Sequence, residues 1–444
     1  MPVSPARAAA FDILLRVEQQ NAYASELLHS SRLDKLSTAD RALTTEIVMG
    51  VLRWQSLLDR RIVAGSSRSL AKLDAEVRLA LRIAAYQLLY LTRVPARAAI
   101  NESVELVKRA RKTSAAPFAN AVLRKLVSAE PVSSIEPRPP ATASQSAREF
   151  AHPEWLVQRW VSHFGVAHAR SICGYDQRVP GTTIRADPEE TLRELGAEGV
   201  TLAPGALLTS ARTVASDDVT QTRAYREGRV FIQDEGSQLV AALVGRGSRL
   251  LDCCAAPGSK TAALASRNPA AEICAVELHP HRAELLRQRV RASNVRVLTT
   301  DVLDLPLQGG FDRVLADVPC SGTGTLARNP EIKWRLKPED LHELRAKQVA
   351  ILRAALQQLA PEGRAVYSTC SLEPEENQDV ISEVLKESPE FTLLDCRPEL
   401  ERLRMEGELA WSDVDSLLDG PYLRTIPGIH PCDGFFSAIV ERKC

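Results

Sequence analysis

Two short stretches of the chain place cysteines among small polar residues. One reads D-V-P-C-S-G-T-G from Asp317 to Gly324, and the other reads S-T-C-S from Ser368 to Ser371. A thiolate is a strong nucleophile whose pKa responds to its surroundings, so Cys320 and Cys370 are candidates for covalent chemistry, with the Asp317 carboxylate close by. An isolated cysteine is more often a small buried apolar residue, and we interpret four others in that way: Cys173, Cys274, Cys396 and Cys444.

A glycine-containing loop precedes these stretches and has the composition of a nucleoside-binding turn. It runs from Leu250 to Thr261 and reads L-L-D-C-C-A-A-P-G-S-K-T. Small residues allow its backbone to approach a ligand closely, and the helix that follows offers free N–H groups. A phosphate-binding P-loop would need one Gly directly before Lys260 and another five residues before that. Ser259 and Cys254 stand at those places, so the P-loop interpretation fails.

Two acidic residues follow the next strand-like segments. Glu277 comes 19 residues after Gly258, a spacing that suits a carboxylate accepting hydrogen bonds from ribose hydroxyls. Asp301 follows the third strand, where it can accept from an adenine amino group. Each acid alone is more often a solvated or capping residue, but their position at the ends of successive strands favours a nucleoside site. A carboxylate there repels phosphate, so the ribose is expected to be unphosphorylated.

These residues need a framework, and the second half of the chain predicts one. Strand patterns cover 249–253, 272–276, 295–299, 313–316, 364–368 and 435–441, and helix patterns cover 261–267, 280–292, 339–360 and 374–386. This alternation predicts a Rossmann-like α/β domain with a mainly parallel sheet covered on both faces. Ligands bind such sheets beyond the carboxyl ends of the strands, which is where the candidate residues fall.

The first half of the chain predicts a different architecture. Residues 4–128 carry apolar stripes at helical spacing, which predicts an all-α bundle. Residues 129–148 are rich in Pro, Ser and Ala and are interpreted as a linker. Helix and strand signals alternate over 149–235 and predict a small α+β domain, followed by the α/β domain at 236–444.

Charge is unevenly distributed, although the formal net charge is zero. Residues 1–130 hold 20 Lys and Arg against 12 Asp and Glu, which gives +8, and the remainder holds 36 against 44. A basic segment joined to an acidic one indicates a polyanionic partner for the first part. A surface adapted only for solubility produces the same split, so charge leaves both interpretations open.

Several classes of protein are disfavoured by composition. The nine cysteines include no C-x-x-C pair, which argues against a disulfide framework and against a structural zinc site. No apolar run reaches the roughly 20 residues of a membrane-spanning helix. The first residues lack a signal-peptide pattern, so we expect a cytoplasmic protein.

The motifs, taken together, match a known family. The chain resembles the RsmB (Sun/Fmu) group of bacterial 16S ribosomal RNA 5-methylcytosine methyltransferases in four ordered motifs: C-A-A-P-G-x-K at Cys254–Lys260, D-x-P-C-S-G-T-G at Asp317–Gly324, T-C-S at Thr369–Ser371 and E-E-N at Glu375–Asn377. Asn329–Trp334 and Asp433–Phe436 also match. Residues 4–128 look like the NusB antitermination-factor fold, including Ile100–Glu102, so the resemblance covers nearly the whole chain.

The resemblance implies covalent catalysis with S-adenosylmethionine as the methyl donor. Cys370 is implied to be the nucleophile that adds to cytosine C6, Cys320 to assist product release, and Asp317 to hydrogen-bond the base near N3. Lys260 is expected to contact the substrate or Asp317, with a surface position as the alternative. The implied cofactor site comprises Cys254, Ala255, Ala256, Pro257, Gly258, Ser259, Lys260, Glu277, Asp301 and Asp317.

Two positions depart from the family pattern. Ser259 stands where a second Gly is common, which puts the tightness of the loop in question. Glu277 stands where Asp is common, which retains a carboxylate for the ribose on a longer arm. Neither departure removes a group that the chemistry needs.

The implied partner is small-subunit ribosomal RNA, with the target base single-stranded or flipped out and the flanking phosphates held by the bundle and the α+β segment. We expect a monomer without a metal or membrane partner. Transfer RNA remains an alternative substrate. A DNA cytosine-C5 methyltransferase, with its Pro-Cys nucleophile, is opposed by Thr369-Cys370 and by the lack of a separate DNA-recognition insertion. A non-catalytic NusB-like adaptor would not need the cysteines and acids described above.

Overall fold

The computed structural model describes residues 3–30, 33–66, 68–128, 142–186, 188–216, 218–305 and 309–444. The helices are α1 (Pro5–Gln20), α2 (Ala24–Leu28), α3 (Thr38–Gly65), α4 (Ala75–Tyr90), α5 (Ala96–Arg109), α6 (Ala116–Ser128), α7 (Ala143–Glu149), α8 (Glu154–Asp176), α9 (Glu189–Ala197), α10 (Arg223–Arg226), α11 (Glu235–Leu243), α12 (Ser259–Arg267), α13 (Pro280–Arg289), α14 (Ile332–Arg335), α15 (Asp340–Gln357), α16 (Gln378–Glu387) and α17 (Arg397–Met405). No helix among the described residues combines the length and the apolar character needed to cross a membrane.

The strands are β1 (Thr182–Ala186), β2 (Thr201–Pro204), β3 (Ala211–Ser216), β4 (Val230–Ile232), β5 (Arg249–Asp252), β6 (Glu272–Glu277), β7 (Val295–Thr299), β8 (Phe311–Asp317), β9 (Leu359–Thr369), β10 (Phe391–Leu394), β11 (Leu418–Asp419), β12 (Tyr422–Thr425) and β13 (Phe435–Arg442). The chain divides into two compact units. One holds Met1–Val179 with Leu326–Arg335, and the other holds Pro180–Thr325 with Leu336–Cys444.

The first unit is helical, as the apolar spacing predicted. Helices α1 to α6 bury one stripe each into a common core, which includes the fully buried side chains Leu14, Ile47, Leu58, Leu81 and Leu123. An amphipathic helix gains most of its stability from burying such a stripe against its neighbours. The prediction of an all-α bundle is therefore confirmed.

A short segment from the second half of the chain also belongs to this helical unit. Residues 326–335, which follow directly on the Cys320 motif in the sequence, end in α14 and bond to backbone carbonyls of α3. Trp334 Nε1 donates to Leu52 O at 2.6 Å, and Lys333 Nζ donates to Arg53 O at 3.0 Å. Lys333 is buried, and burial lowers the pKa of its ammonium to about 7.

The predicted linker and small domain differ from the structure. Of the linker at 129–148, residues 129–141 lie outside the described residues, but most of the rest forms α7. A capping box starts this helix: Thr142 Oγ1 accepts from Gln145 N at 3.2 Å, and Gln145 Oε1 accepts from Thr142 N at 2.8 Å. Ser, Ala and Gln are common in linkers, yet Ala and Gln also favour helices, so composition alone was misleading.

The predicted α+β domain at 149–235 is divided between the two units. Helix α8 packs with α7 in the helical unit through buried apolar residues that include Leu156, Trp160 and Ile172. The remainder forms an antiparallel sheet in the order β2-β3-β1-β4, flanked by α9, and belongs to the second unit. The sequence pattern predicted α8, β1 and β4 but not α9, β2 or β3. The packing of α8 is long-range information that the sequence pattern does not contain.

The second unit is built on a sheet in the order β11-β12-β13-β9-β8-β5-β6-β7, with β10 paired to β13. Strands β5 to β9 are parallel, and β10 to β13 are antiparallel. Both faces are buried, with Leu250, Leu315 and Val366 in one cluster and Leu251, Val314 and Tyr367 in another. The Rossmann-like α/β prediction is confirmed. Strand order reverses between β5 and β8, which is where such sheets bind ligands.

Candidate active site

The carboxyl ends of the five parallel strands bring the predicted residues to one edge of the sheet. Asp252 ends β5, Glu277 ends β6 and Asp317 ends β8, whereas Asp301 follows β7 and Cys370 follows β9. Because the strands are parallel and in register, all five side chains start from the same edge. Sequence spacing alone predicted this arrangement for every residue but Asp252.

The loop between β5 and α12 depends on one glycine. Gly258 has φ 108°, and a Cβ there would lie 2.7 Å from Leu286 of α13 and 2.8 Å from Val290, which follows that helix. Only glycine combines this backbone conformation with this close approach. Ser259 is the first residue of α12, where the backbone is helical and does not require glycine. A serine in place of the family's second Gly is therefore compatible with the backbone of this loop.

Glu277 and Asp301 each have one oxygen fixed by the backbone and one that no described residue bonds. Glu277 is buried and its Oε1 accepts from His279 N at 2.9 Å. Asp301 Oδ1 accepts from Leu303 N at 3.0 Å. The other oxygen of each carboxylate is thus left as an acceptor for a ligand's hydroxyl or amino group. Two such acceptors fit the hydroxyl and amino groups of a nucleoside.

Two leucines beside these acids were missed by the sequence analysis. Leu278 is 53% exposed beside the buried Glu277, and Leu303 is 51% exposed near the half-buried Asp301, which is unusual for large apolar side chains. They supply apolar surface of the kind that the faces of an adenine ring require. The signal was available, because each leucine lies within two residues of a predicted ligand acid.

Asp252 is a further acid that the sequence analysis did not single out. It is fully buried, and Thr261 Oγ1 donates to its Oδ2 at 2.7 Å, while Oδ1 has no partner among the described residues. Burial raises the pKa of this carboxyl to about 6, and the nearby Asp317 adds to the shift. Its place at the end of β5, directly before the glycine loop, was the available signal.

Cys254 lies among these carboxylates and is chemically quiet. Burial raises the pKa of its thiol first, and the charges of Asp252, Asp317 and Glu277 raise it further. A thiol so placed stays protonated and is a poor nucleophile. Cys254 therefore serves the cofactor loop as a small side chain. Among the described residues, no group of His, Cys, Asp and Glu could hold a metal ion.

The two candidate cysteines meet at the ends of neighbouring strands. Their Sγ atoms are 3.3 Å apart, and both residues are partly exposed. Pairing of β8 with β9 sets this geometry, because Asp317 is in register with Ser368. A bond from Gly324 N to Cys370 O, 2.9 Å long, links the two loops.

Opposite charges flank this pair of thiols. Lys260 Nζ lies 2.8 Å from Asp317 Oδ2, which decides between the two positions expected for Lys260. Burial acts to lower the pKa of the Lys260 ammonium, but Asp317, and Cys370 through space, outweigh it and raise that pKa. The hydrogen bond with Cys370 is the first cause that raises the pKa of the Cys320 thiol, followed by burial and by the charges of Cys370 and Glu376.

Of the four cysteines predicted to be core residues, three are buried: Cys173, Cys274 and Cys396. The prediction was wrong for Cys444, which is exposed. It lies beyond β13, in which the buried apolar run ends at Val440, four residues earlier.

Residues 243–441 match the family described as 16S rRNA methyltransferase RsmB/F, and residues 4–128 match the NusB family. A Bacillus subtilis protein named probable ribosomal RNA small subunit methyltransferase B is 32% identical, with 100% of both chains covered. Ribosomal RNA small subunit methyltransferase B of Salmonella paratyphi C is 31% identical over 92% of each chain. The solved structure of a methyltransferase homolog protein from Pyrococcus horikoshii has a TM-score of 0.55 at 24% identity, covering 68% of this chain and 98% of that one.

Proposed function

The chain belongs to the RsmB/F family of 16S rRNA methyltransferases, and on this premise we propose that it methylates C5 of a cytosine in small-subunit ribosomal RNA. The observation that carries the proposal is the pair of thiols, Cys320 and Cys370, 3.3 Å apart beside Asp317. A cytosine carbon is too poor a nucleophile to take a methyl group unaided, and a thiol at this edge of the sheet offers the activation it needs.

S-adenosylmethionine, when bound, supplies an electrophilic methyl group. The chain offers this cofactor two acceptors with a free oxygen, Glu277 for the ribose hydroxyls and Asp301 for the adenine amino group. Leu278 and Leu303 provide the apolar surface for the adenine. The loop 254–260 and the start of α12 are assigned to the methionine part, whose carboxylate suits the free N–H groups there.

Cys370 is the proposed nucleophile. Its thiolate adds to cytosine C6, and the electron pair of the C5–C6 double bond moves so that C5 becomes nucleophilic. After C5 has taken the methyl group, a base removes the C5 proton, the double bond re-forms and the thiolate leaves. Asp317 is positioned to hydrogen-bond the base near N3 as charge develops there.

The charges beside the two thiols support different roles for them. Lys260 Nζ lies 2.8 Å from Asp317 Oδ2, and Asp317 and Cys370 are both among the causes that raise the pKa of the Lys260 ammonium. The hydrogen bond with Cys370, burial and the Glu376 carboxylate all raise the pKa of the Cys320 thiol, which favours its neutral form. Cys320 is therefore proposed to act as a proton-carrying partner that assists release of the product.

Arginines without a carboxylate partner support RNA binding by the helical unit. Arg60, Arg61 and Arg148 form a cluster in which no carboxylate of the described residues lies within ion-pair distance. Burial lowers the pKa of Arg60 first, and repulsion from Arg148 and Arg61 lowers it further. Tyr90 stacks on Trp54 with ring centroids 5.1 Å apart. Burial raises the pKa of the Tyr90 hydroxyl, although the charges of Arg61 and Arg60 act to lower it.

Other arginines of the same unit are neutralised. Arg7 pairs with Glu102 at 2.9 Å, and Arg109 pairs with Asp12 at 3.0 Å. A cluster that keeps its positive charge fits a phosphate backbone, which binds through neutralisation of successive phosphates. A transfer RNA offers the same phosphates and remains the alternative substrate.

Mapping of 5-methylcytosine in RNA from a strain that lacks this chain tests the proposal. We expect one cytosine of small-subunit ribosomal RNA to lose its methyl group and to regain it when the purified protein and S-adenosylmethionine are added. Loss of a methyl group only from transfer RNA would assign the alternative substrate. An unchanged map would contradict both and would favour a non-catalytic adaptor.

A further inference from the structure

A buried carboxylate outside the predicted site joins the two cysteine loops. Glu376 closes a short 3-10 turn, Pro374–Glu376, which follows the Cys370 loop in sequence, and its side chain is fully buried. In the sequence, Glu376 stands out only as part of the E-E-N motif, and no role for it follows from that motif.

The contacts of Glu376 reach the residue that follows each cysteine. Glu376 Oε1 accepts from Ser321 N at 2.8 Å, and its Oε2 accepts from the hydroxyls of Ser321 and Ser371. Ser321 is bonded twice, once through its backbone and once through its side chain. Both cysteine loops are thus tied to one carboxylate.

Helix α15 adds a third tie. Gln348 Nε2 donates to Glu376 Oε1 and to Pro319 O, each at 2.9 Å. Gln348 is fully buried and holds the residue before Cys320, as Ser321 is held after it. The backbone on both sides of Cys320 is therefore fixed through Glu376 and its partner.

The charge of Glu376 is balanced by hydrogen bonds alone. Among the described residues, no Lys or Arg lies within ion-pair distance of its carboxylate, and four donors surround the two oxygens. A buried carboxylate without a counter-ion is costly unless its hydrogen bonds are complete. An apolar side chain here would leave these four donors without an acceptor, so the carboxylate is needed to hold both cysteine loops in this geometry.

We infer that Glu376 is a positioning residue whose carboxylate locks the Cys320 and Cys370 loops together and keeps Cys320 as a neutral thiol. The inference rests on the proposed function, because it gives the two thiols different tasks. A thiol held protonated 3.3 Å from Cys370 can donate its proton to the Cys370 sulfur as the bond from that sulfur to C6 breaks, and the Cys320 thiolate that is left takes up a proton from solvent. Loss of the tie would let the two sulfur atoms drift apart.

The first measurement needs neither RNA nor cofactor. In a Cys370→Ser background, the alkylation of Cys320 by iodoacetamide is followed against pH by peptide mass spectrometry. We expect Glu376→Gln, which keeps the shape and removes the charge, to lower the midpoint pH of alkylation by about 1 unit. Glu375→Gln, a substitution at the half-buried neighbour, is the matched control and should leave the midpoint where it was. An unmoved midpoint for Glu376→Gln would overturn the electrostatic part of the inference.

The second measurement is kinetic. Glu376→Gln should lower kcat about 10²-fold, since small misplacements of reacting groups have effects of that size, with little change in the KM for RNA or in cofactor affinity. A merely structural role would move all three together. Wild-type kcat in a folded Glu376→Gln protein would overturn the positioning role.

Two further variants cover the case in which Glu376→Gln folds poorly. Ser321→Ala and Ser371→Ala each remove one tie and leave the carboxylate in place, and each should lower kcat by a smaller factor. Wild-type kcat in both would also overturn the inference. Failure of the proposed function would look different, because the wild-type protein would then form no Cys370-dependent product, whereas the alkylation result would stand.

Discussion

The edge of the sheet that carries the site has two halves: in one, carboxylate oxygens are left free to accept hydrogen bonds, and in the other, the side chains are already paired. At the ends of β6 and β7, the cofactor half, Glu277 and Asp301 each keep one oxygen that no described residue bonds. At the ends of β8 and β9, the cysteine half, Lys260 is paired with Asp317 and Cys320 contacts Cys370. The first half is prepared to receive donors from a ligand. The second is already organised, so that little rearrangement is needed when the reaction begins.

The largest effect is expected in the cysteine half. Cys370→Ala should abolish methylation without forming an adduct, because no other thiol attacks C6. Cys320→Ala should still permit attack and methyl transfer, so that the enzyme accumulates joined to its RNA as a slow band on a denaturing gel. Cofactor affinity should stay at the wild-type value in both variants.

The same gel separates the other interpretations. An adduct that survives Cys370→Ala and disappears with Cys320→Ala would assign the nucleophile to Cys320, as in DNA cytosine-C5 methyltransferases. Near-normal turnover in both variants would make the two cysteines ordinary core residues and would remove the comparison between the halves.

The cofactor half should respond in binding rather than in adduct formation. Glu277→Ala loses charge-assisted hydrogen bonds to the ribose, and S-adenosylmethionine should bind more weakly by about 1.5–3 kcal/mol in titration calorimetry. Glu272→Ala, at the opposite end of β6, is the matched control and should bind normally. Unchanged affinity in a folded Glu277→Ala protein would refute the ribose assignment.

Asp252 lies between the two halves, and it should make the free energy of unfolding depend on pH. Its folded-state pKa of about 6 lies above the ordinary value of 3.8, so its contribution to stability is fully present below pH 3.8 and is lost as pH rises through 6. Asp252→Asn should flatten this change, by less than about 1.4 kcal/mol per pH unit in the free energy of unfolding. If the free energy of unfolding, measured by denaturant titration, changes equally with pH in the wild type and in Asp252→Asn between pH 4 and 7, the assignment is contradicted.

The smallest effect tests whether the helical unit contacts RNA. The double variant Arg60→Ala/Arg148→Ala removes two unpaired charges, and the slope of log affinity against log salt should fall by about 1–2. Arg109→Ala removes a paired charge and should change the slope less. If the two variants give the same slope, the cluster does not contact phosphates. Cofactor affinity should be unaffected in both.

The cofactor half was largely predictable from sequence, for a physical reason. Buried parallel strands such as β6 are continuous apolar runs, and the edge strand β7 alternates between apolar and polar residues at its start. Both patterns stand out between turns, so the strand ends place Glu277 and Asp301 without knowledge of packing. Strands β10 and β12 and helix α17 were missed. They are short, and their polar and apolar residues do not follow a clear period.

The ties of the cysteine half were not predictable in the same way. Ser321 and Glu376 are 55 residues apart in the chain, and Gln348 and Glu376 are 28 apart. Nothing in the local pattern at Glu376 distinguishes it from Glu375, which is partly exposed. The sequence also failed to predict that α8 belongs to the helical unit. The reason is the same, because the place of α8 and the ties of Glu376 both depend on contacts between distant segments.

The segment 326–335 makes the two units interleaved in sequence. A chain divided after Ser128 would yield a C-terminal fragment that still carries Trp334 and Lys333, with their hydrogen bonds to Leu52 and Arg53 in the N-terminal fragment. The two fragments are therefore expected to complement each other noncovalently and to co-purify. The helical bundle is consequently not an independent module. Its deletion would also remove the hydrogen-bond acceptors of Trp334 and Lys333, which lie about ten residues beyond the Cys320 motif.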